Sequence, residues 1–204
     1  MTVTEDDLTN AIIKSNREYH ETLTADESGS WELTICPEAH YNYYGTRGVA
    51  DLFIDETYSG ESWITIYELK SESAVRGATG ANEIVRQFNK MRRHFFKDES
   101  NEREYVKDLR FELCFTPSRY TLEHVSDNVD IYRSVSDQVL TDVNFERWGT
   151  DVTMRSPDDV RPIQFFGTDW SEARPFEHHA EIANEELFEE YENLFRKISN
   201  RLLD

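Results

Sequence analysis

Two β-forming runs hinged on Ser59-Gly60 dominate this sequence. The stretch RGVADLFIDETYSGESWITIYELKSES is rich in Ile, Phe, Trp, Thr and Tyr on both sides of that dipeptide and reads as a β-hairpin. A turn centred between Ser59 and Gly60 pairs residues equidistant from it, so Asp51 faces Glu68. Directly opposed residues project from the same face of a sheet. Lys70 lies two residues beyond Glu68 and shares that face, because side chains alternate with a period of two. A turn longer by one residue would move Asp51 to the other face.

Two carboxylates and an ammonium thus meet on a surface that is otherwise apolar, an arrangement costly to hold unless a metal ion or a substrate uses it. Hard divalent cations such as Mg²⁺ take carboxylate oxygens and keep several waters. A bound cation acidifies its water and stabilises charge on a phosphoryl oxygen, while a lysine can orient that water or neutralise the oxyanion. These are the parts needed for phosphodiester hydrolysis. The bland alternative is a solvated face with an ordinary cross-strand cluster.

The next segment, ANEIVRQFNKMRRHFFK, reads as a helix over Ala81 to Lys97. At about 100° per residue, Ile84, Phe88, Met91 and Phe95 form one apolar stripe. Arg86, Lys90, Arg93 and Lys97 fall on another side, within a sector of about 60°. Gln87 and His94 lie at the border. A helix packed on the sheet by its apolar stripe holds Gln87 at the edge of the carboxylate site and presents a row of cations beside that site. From Arg76 to Lys97 the chain carries six Lys or Arg and one acid, Glu83, whereas the whole chain stands at −19.

These residues resemble the PD-(D/E)xK phosphodiesterase superfamily, which includes restriction endonucleases, archaeal Holliday junction resolvases and recombination exonucleases. Gly48-Val49-Ala50-Asp51 matches its G-x-x-D strand, Glu68-Leu69-Lys70 its E-x-K strand, and Gln87 the glutamine of the following helix. The resemblance covers Glu5 to Pro117. It implies an α/β fold of restriction-endonuclease type: an αβββαβ core with a mixed central sheet flanked by helices. It also implies Mg²⁺ (or Mn²⁺) bound by Asp51, Glu68 and the carbonyl of Leu69, with Lys70 at the attacking water and products carrying a 5′-phosphate. Many members add a glutamate from the first helix, for which Glu18 is the candidate here. Ala50 replaces the usual proline. Met91 stands where the recombination-exonuclease branch has tyrosine, which argues against that branch.

The remaining elements follow from periodicity. A first helix runs from Glu5 to Leu23, opened by Thr4 with Asp7 as in a capping box, with Leu8, Ile12, Tyr19 and Leu23 as its buried stripe. Trp31 to Cys36 alternates as a first strand stopped by Pro37, and Tyr41, Tyr43 and Tyr44 lead into the hairpin. Leu109 to Phe115 alternates as a further strand. Val125 to Val143 supports either a helix or two short strands. Arg161 to Phe166 reads as an edge strand that starts at Pro162. Trp148 and Trp170 suggest packing in this region. The last element is a long helix, Glu177 to Leu203, with Ala180, Leu187, Tyr191, Leu194, Ile198 and Leu202 on its apolar stripe. Glu181, Glu185, Glu189 and Glu192 make the rest acidic. His178-His179 at its start read as a solvated helix start rather than a metal site. The expected organisation is a nuclease core over residues 1–117 and a C-terminal elaboration of the same domain over 118–204.

Composition bounds the function class. The hydrophobic fraction of 38% can fill a core, and no apolar run approaches a membrane span. A cytoplasmic protein is expected, with Cys36 and Cys114 as buried free thiols. Its 22 basic residues, only six of them lysines, against 41 acids resemble adaptation to high intracellular salt. At 1 M salt the Debye length is about 3 Å, so short-range contacts from the arginine stripe and metal bridging carry substrate binding. The sequence therefore predicts a Mg²⁺-dependent nuclease acting on DNA by preference, possible as a homodimer. The rivals are an inactive nuclease-fold module that binds nucleic acid, and an acidic protein that docks a partner through its C-terminal helix.

Overall fold

Ser59 and Gly60 both take left-handed backbone angles, φ 52° and 85°. Two such residues in succession make the tight turn whose twist matches that of the flanking strands. The hairpin they close has the expected register: Tyr58 opposes Glu61 and Leu52 opposes Tyr67. These features belong to a computed structural model that describes residues 3–26, 30–102, 106–136, 147–167 and 184–203.

The elements are α1 (Glu5–Asp26), β1 (Trp31–Tyr43), β2 (Thr46–Tyr58), β3 (Glu61–Lys70), α2 (Glu72–Gly77), α3 (Ala81–Glu102), β4 (Val106–Phe115), α4 (Arg119–Asp127), α5 (Val129–Ser136), β5 (Arg147–Met154), β6 (Ile163–Gly167) and a final helix, α6 (Glu185–Leu203). The strands form one mixed sheet in the order β1-β2-β3-β4-β5-β6. The β1–β2, β2–β3 and β5–β6 pairs are antiparallel, while β3–β4 and β4–β5 are parallel. Helices flank the sheet. The fold is the α/β, restriction-endonuclease-like architecture, with the helix, three strands, helix and strand in the order expected and one short additional helix, α2, between β3 and α3.

Each face of the sheet has its own core. Ile84, Phe88, Met91 and Phe95 of α3 join Ile64, Ile66, Phe111 and Phe115 on one face. Leu8 and Ile12 of α1 pack with Leu52, Ile54, Leu69 and Cys114 on the other. The capping box of α1 is present: the Thr4 hydroxyl accepts from Asp7 N, and Asp7 Oδ2 accepts from Thr4 N. The helix then outruns the sheet. No described residue of α1 after Ile12 is buried, so Tyr19, expected in the stripe, is 55% exposed.

Pro37 does not stop β1. The strand continues to Tyr43 because it lies at the sheet edge, where a residue without an N–H is tolerated. A second tight turn, Tyr44-Gly45 with φ 49° and 81°, joins β1 to β2. The edge strand is less covered than the central ones, and this leaves Cys36 exposed; Cys114 is buried, and both thiols are free.

The undecided stretch after Val125 is helical over α5, and residues 137–143 lie outside the described ones. β6 forms the other edge and starts after Pro162. In α6, Leu187, Phe188, Phe195 and Ile198 are buried, whereas Tyr191 and Leu194 are half-buried. A kink at Tyr191 (φ −121°, ψ 23°) shifts the helical phase, which explains why a straight stripe missed Phe188 and Phe195. Trp170, Glu177, His178, His179, Ala180 and Glu181 lie outside the described residues, as do the side chains of Trp148 and Leu202. No helix among the described residues is long and apolar enough to cross a membrane.

Candidate active site

The site lies where β2 leaves β3. The β2–β3 ladder runs from Tyr58–Glu61 to Leu52–Tyr67 and ends there. Beyond it, β2 stays paired with β1 while Glu68, Leu69 and Lys70 stay paired with β4. The parting coincides with an inversion of side-chain alternation. Leu33 and Ile35 of β1 pack on the α1 core, yet Ala39 and Tyr41, of the same parity, join the α3 core. On β2, Ala50 and Phe53 share the α3 core although they are three apart. Both inversions centre on the skipped rung between Glu38 (φ 53°) and Asp51.

Asp51 is the residue at the fork. Its Oδ2 accepts a hydrogen bond from Leu69 N at 2.6 Å, so a carboxylate replaces the backbone partner that β2 withdraws. Lys70 Nζ donates to Glu68 Oε1 at 2.7 Å. The structure thus gathers Asp51, Glu68, Leu69 and Lys70.

Burial and repulsion from neighbouring carboxylates disfavour the charged forms of both Asp51 and Glu68. Burial, and then the Glu68 carboxylate, push Asp51 up to about 7, against the pull of Lys70 and of the Leu69 N–H. Burial also raises Glu68, with Lys70 opposing it. For Lys70, burial acts downward, but Glu68 and Asp51 outweigh it and hold the ammonium above its usual range. A second buried pair shows the contrast. Arg155 clasps both oxygens of Glu112, at 2.6 and 2.7 Å, and Thr153 adds a hydroxyl. There one cation answers one anion. At the fork one cation answers two anions.

The first helix contributes Glu5, not Glu18. Glu5 Oε1 accepts from Ser71 N at 2.9 Å and from Ser71 Oγ at 3.1 Å, and its charge reaches Asp51, Glu68 and Lys70. Ser71 follows Lys70 and caps α2. Glu18 lies thirteen residues further along α1, about 20 Å at the helical rise. It is 65% exposed and pairs with Lys14 at 3.8 Å. Glu18 therefore lies away from the Asp51, Glu68 and Lys70 cluster in this structure. In the sequence Glu5 marks only the start of the first helix, and nothing in the local pattern sets it beside the end of β3.

The α3 residues wall a groove of about 800 Å³ that also takes in Tyr41, Arg47, Gly48 and Glu68. Gln87 lies on this wall, but its Nε2 donates to Glu83 Oε1 at 2.9 Å, not to Lys70. Arg86 makes a forked pair with Glu83 at 2.6 and 2.8 Å. Lys90 Nζ donates to the Arg47 carbonyl at 3.2 Å, and Arg93 lines the groove. The Lys97 side chain lies outside the described residues.

A family profile described as PD-(D/E)XK nuclease superfamily domain matches residues 3–156. The chain belongs to the PD-(D/E)XK nuclease superfamily. The match passes beyond Pro117 and takes in α4, α5 and β5, so it reaches further than the motifs themselves. No curated protein and no solved structure matches the chain. A nuclease-type function is what the superfamily carries, and its members typically use divalent metals.

The residues at the fork fit such a cation. Among the described residues no three His, Cys, Asp or Glu side chains converge as a ready metal cage. Mg²⁺ needs none, because it usually binds through one or two carboxylates and keeps several waters. Asp51 and Glu68 supply hard oxygen donors, and burial, which raises both pKa values, penalises their charged forms in a way that a bound cation would offset.

Proposed function

We propose that this protein is a metal-dependent nuclease that hydrolyses phosphodiester bonds, with DNA the preferred substrate. The observation that carries this reading is the pair of carboxylates, Asp51 and the buried Glu68, that share the single ammonium of Lys70, with Glu68 lining a groove that has a basic wall. Asp51, Glu68 and the carbonyl of Leu69 would hold a divalent cation, Mg²⁺ or Mn²⁺, which would supply an acidified water and offset charge on the phosphoryl oxygens.

The protein's own groups do the positioning. Lys70 stays protonated, so it acts as a donor toward the attacking water and the developing negative charge, and Glu68 fixes its ammonium at 2.7 Å. Glu5 holds Ser71 and with it the end of β3, which sets where Lys70 points. Gln87 offers an amide to the same water or to Lys70 once it leaves Glu83. Arg86, Lys90, Arg93 and Lys97 bind the phosphate backbone, which fixes register without reading sequence.

The test is incubation of the purified protein with plasmid, linear and branched DNA in Mg²⁺ or Mn²⁺ at high KCl. The expected result is cleavage by the natural protein and its loss in Asp51→Ala and Lys70→Ala. Cleavage undiminished in either variant removes these residues from the mechanism.

A further inference from the structure

Tyr41 belongs to this site although no motif names it. It sits on β1 directly opposite Gly48. The tip of its ring occupies the space a side chain at position 48 would take: a Cβ there would stand 2.2 Å from Tyr41 Cζ and 2.4 Å from its Oη. Real Cβ atoms never come so close, so the glycine of the G-x-x-D strand is what seats this phenol. The ring is fixed on its other sides as well. It stacks on His94 with centroids 5.2 Å apart and meets Phe95 edge-on at 5.7 Å, and Lys90 Nζ lies 5.5 Å from its centroid.

This is a firm seat for a ring whose hydroxyl makes no hydrogen bond to another described residue. Tyr41 is 9% exposed, yet its hydroxyl is not among the buried side-chain atoms left without a partner, so it is open to solvent. Tyr41 lines the groove that also takes in Glu68. Burial, and then the carboxylates of Glu68 and Asp51, raise its pKa, so it is a neutral O–H donor beside two anions. An acceptor entering the groove can take this O–H in place of water.

We propose that the Tyr41 hydroxyl binds a non-bridging oxygen of the substrate's phosphodiester beside Glu68, and that Gly48 lacks a side chain so that it can. This rests on the nuclease reading and adds a substrate contact to it. A neutral donor suits the position. It can hold an anionic oxygen next to Glu68 without pairing off the carboxylates, as a third cation would.

The experiment compares the natural protein with Tyr41→Phe, Gly48→Ala and the double variant. Each is assayed for cleavage and, in EDTA, for binding of labelled DNA by fluorescence anisotropy. Tyr41→Phe keeps the ring and its stacking, so its melting temperature should match that of the natural protein. Its kcat/KM should fall about ten- to a hundredfold, the range for losing one hydrogen bond to a charged group. Gly48→Ala displaces the ring and should show a similar loss, and the double variant should be no slower than Gly48→Ala alone. Uniform phosphorothioate substitution in one configuration should slow the natural protein, and this sulfur penalty should shrink in Tyr41→Phe. Rates for Tyr41→Phe equal to the natural protein's, or an unchanged sulfur penalty, overturn the proposal. A natural protein that binds DNA but cleaves nothing sinks the nuclease reading while leaving Tyr41 to the binding assay: several-fold weaker binding by Tyr41→Phe supports the contact, and equal binding overturns it. A natural protein that neither cleaves nor binds overturns both.

Discussion

Asp51 Oδ2 takes the backbone N–H of Leu69 at 2.6 Å, and this bond stands where β2 and β3 stop pairing. The carboxylate thus both caps a strand and, on our reading, holds a cation. Its pKa is raised from 3.8 to about 7. Below the unfolded value both states are protonated and no penalty exists. As pH rises toward the folded value, ionisation favours the unfolded chain and stability falls. Asp51→Asn keeps an acceptor for Leu69 without the charge. In EDTA the variant should be the more stable one at pH 8, by on the order of 2 kcal/mol beyond any difference at pH 5. Mg²⁺ should raise the melting temperature of the natural protein and not that of Asp51→Asn, whose cleavage rate should drop on the order of a hundredfold. A variant that gains no stability between pH 5 and pH 8 would show that the aspartate is not under this strain.

Lys70 answers two anions, so its removal should be felt most when both are ionised. Lys70→Met leaves Glu68 and Asp51 facing each other in a buried setting with no ammonium between them. Their pKa values rise further, and the penalty grows with pH from the unfolded carboxylate range upward. The variant should lose about 3 kcal/mol at pH 8, the scale for breaking a buried ion pair, and markedly less at pH 5, where the carboxyls protonate. Denaturant titrations at the two pH values measure this. Equal losses at both would assign the effect to packing of the lysine stem.

How much of this was legible in the sequence depended on whether a feature is local. The Ser59-Gly60 turn fixes its own register, so the pairing from Tyr58–Glu61 to Leu52–Tyr67 followed from counting; Asp51 and Glu68 lie one step past the last rung, where counting no longer applies. The buried stripe of α3 followed from helical period. Periodicity gives the rotation of a helix about its axis but not its height along a strand, so the edge of the stripe points to Glu18 while nothing points to Glu5. It also assumes unbroken alternation. At Glu38 and Asp51 alternation inverts, which puts Tyr41 on the site face, and nothing in the local pattern announces this. Pro37 misled for a related reason: its meaning depends on whether the strand is at an edge, a property of the sheet.

Glu5 and Glu18 provide a direct comparison. Glu5 binds the backbone and hydroxyl of Ser71, immediately after Lys70, while Glu18 meets only Lys14 at the surface. Glu5→Ala should slow cleavage by about ten- to a hundredfold through misplacement of Lys70, and Glu18→Ala should match the natural protein in rate and in melting temperature. Steady-state kinetics on one DNA substrate suffices. A slow Glu18→Ala beside a normal Glu5→Ala would restore the sequence-based choice.

Glu83 holds two of the residues proposed to engage substrate. It accepts both Arg86 nitrogens and the Gln87 amide, and these bonds draw its pKa down to about 2, so it stays ionised through the working range. Arg93, by contrast, has no ion-pair partner among the described residues and lines the groove. Glu83→Gln should release Arg86 toward phosphate, tighten DNA binding several-fold and steepen the dependence of log K on log salt by about one. Arg93→Gln should weaken binding on all sequences alike and flatten that slope by about one. Anisotropy titrations over a range of KCl give both slopes. Weaker binding by Glu83→Gln would mean that the Glu83–Arg86 pair itself shapes the surface that DNA meets, and that Arg86 serves the helix rather than the substrate.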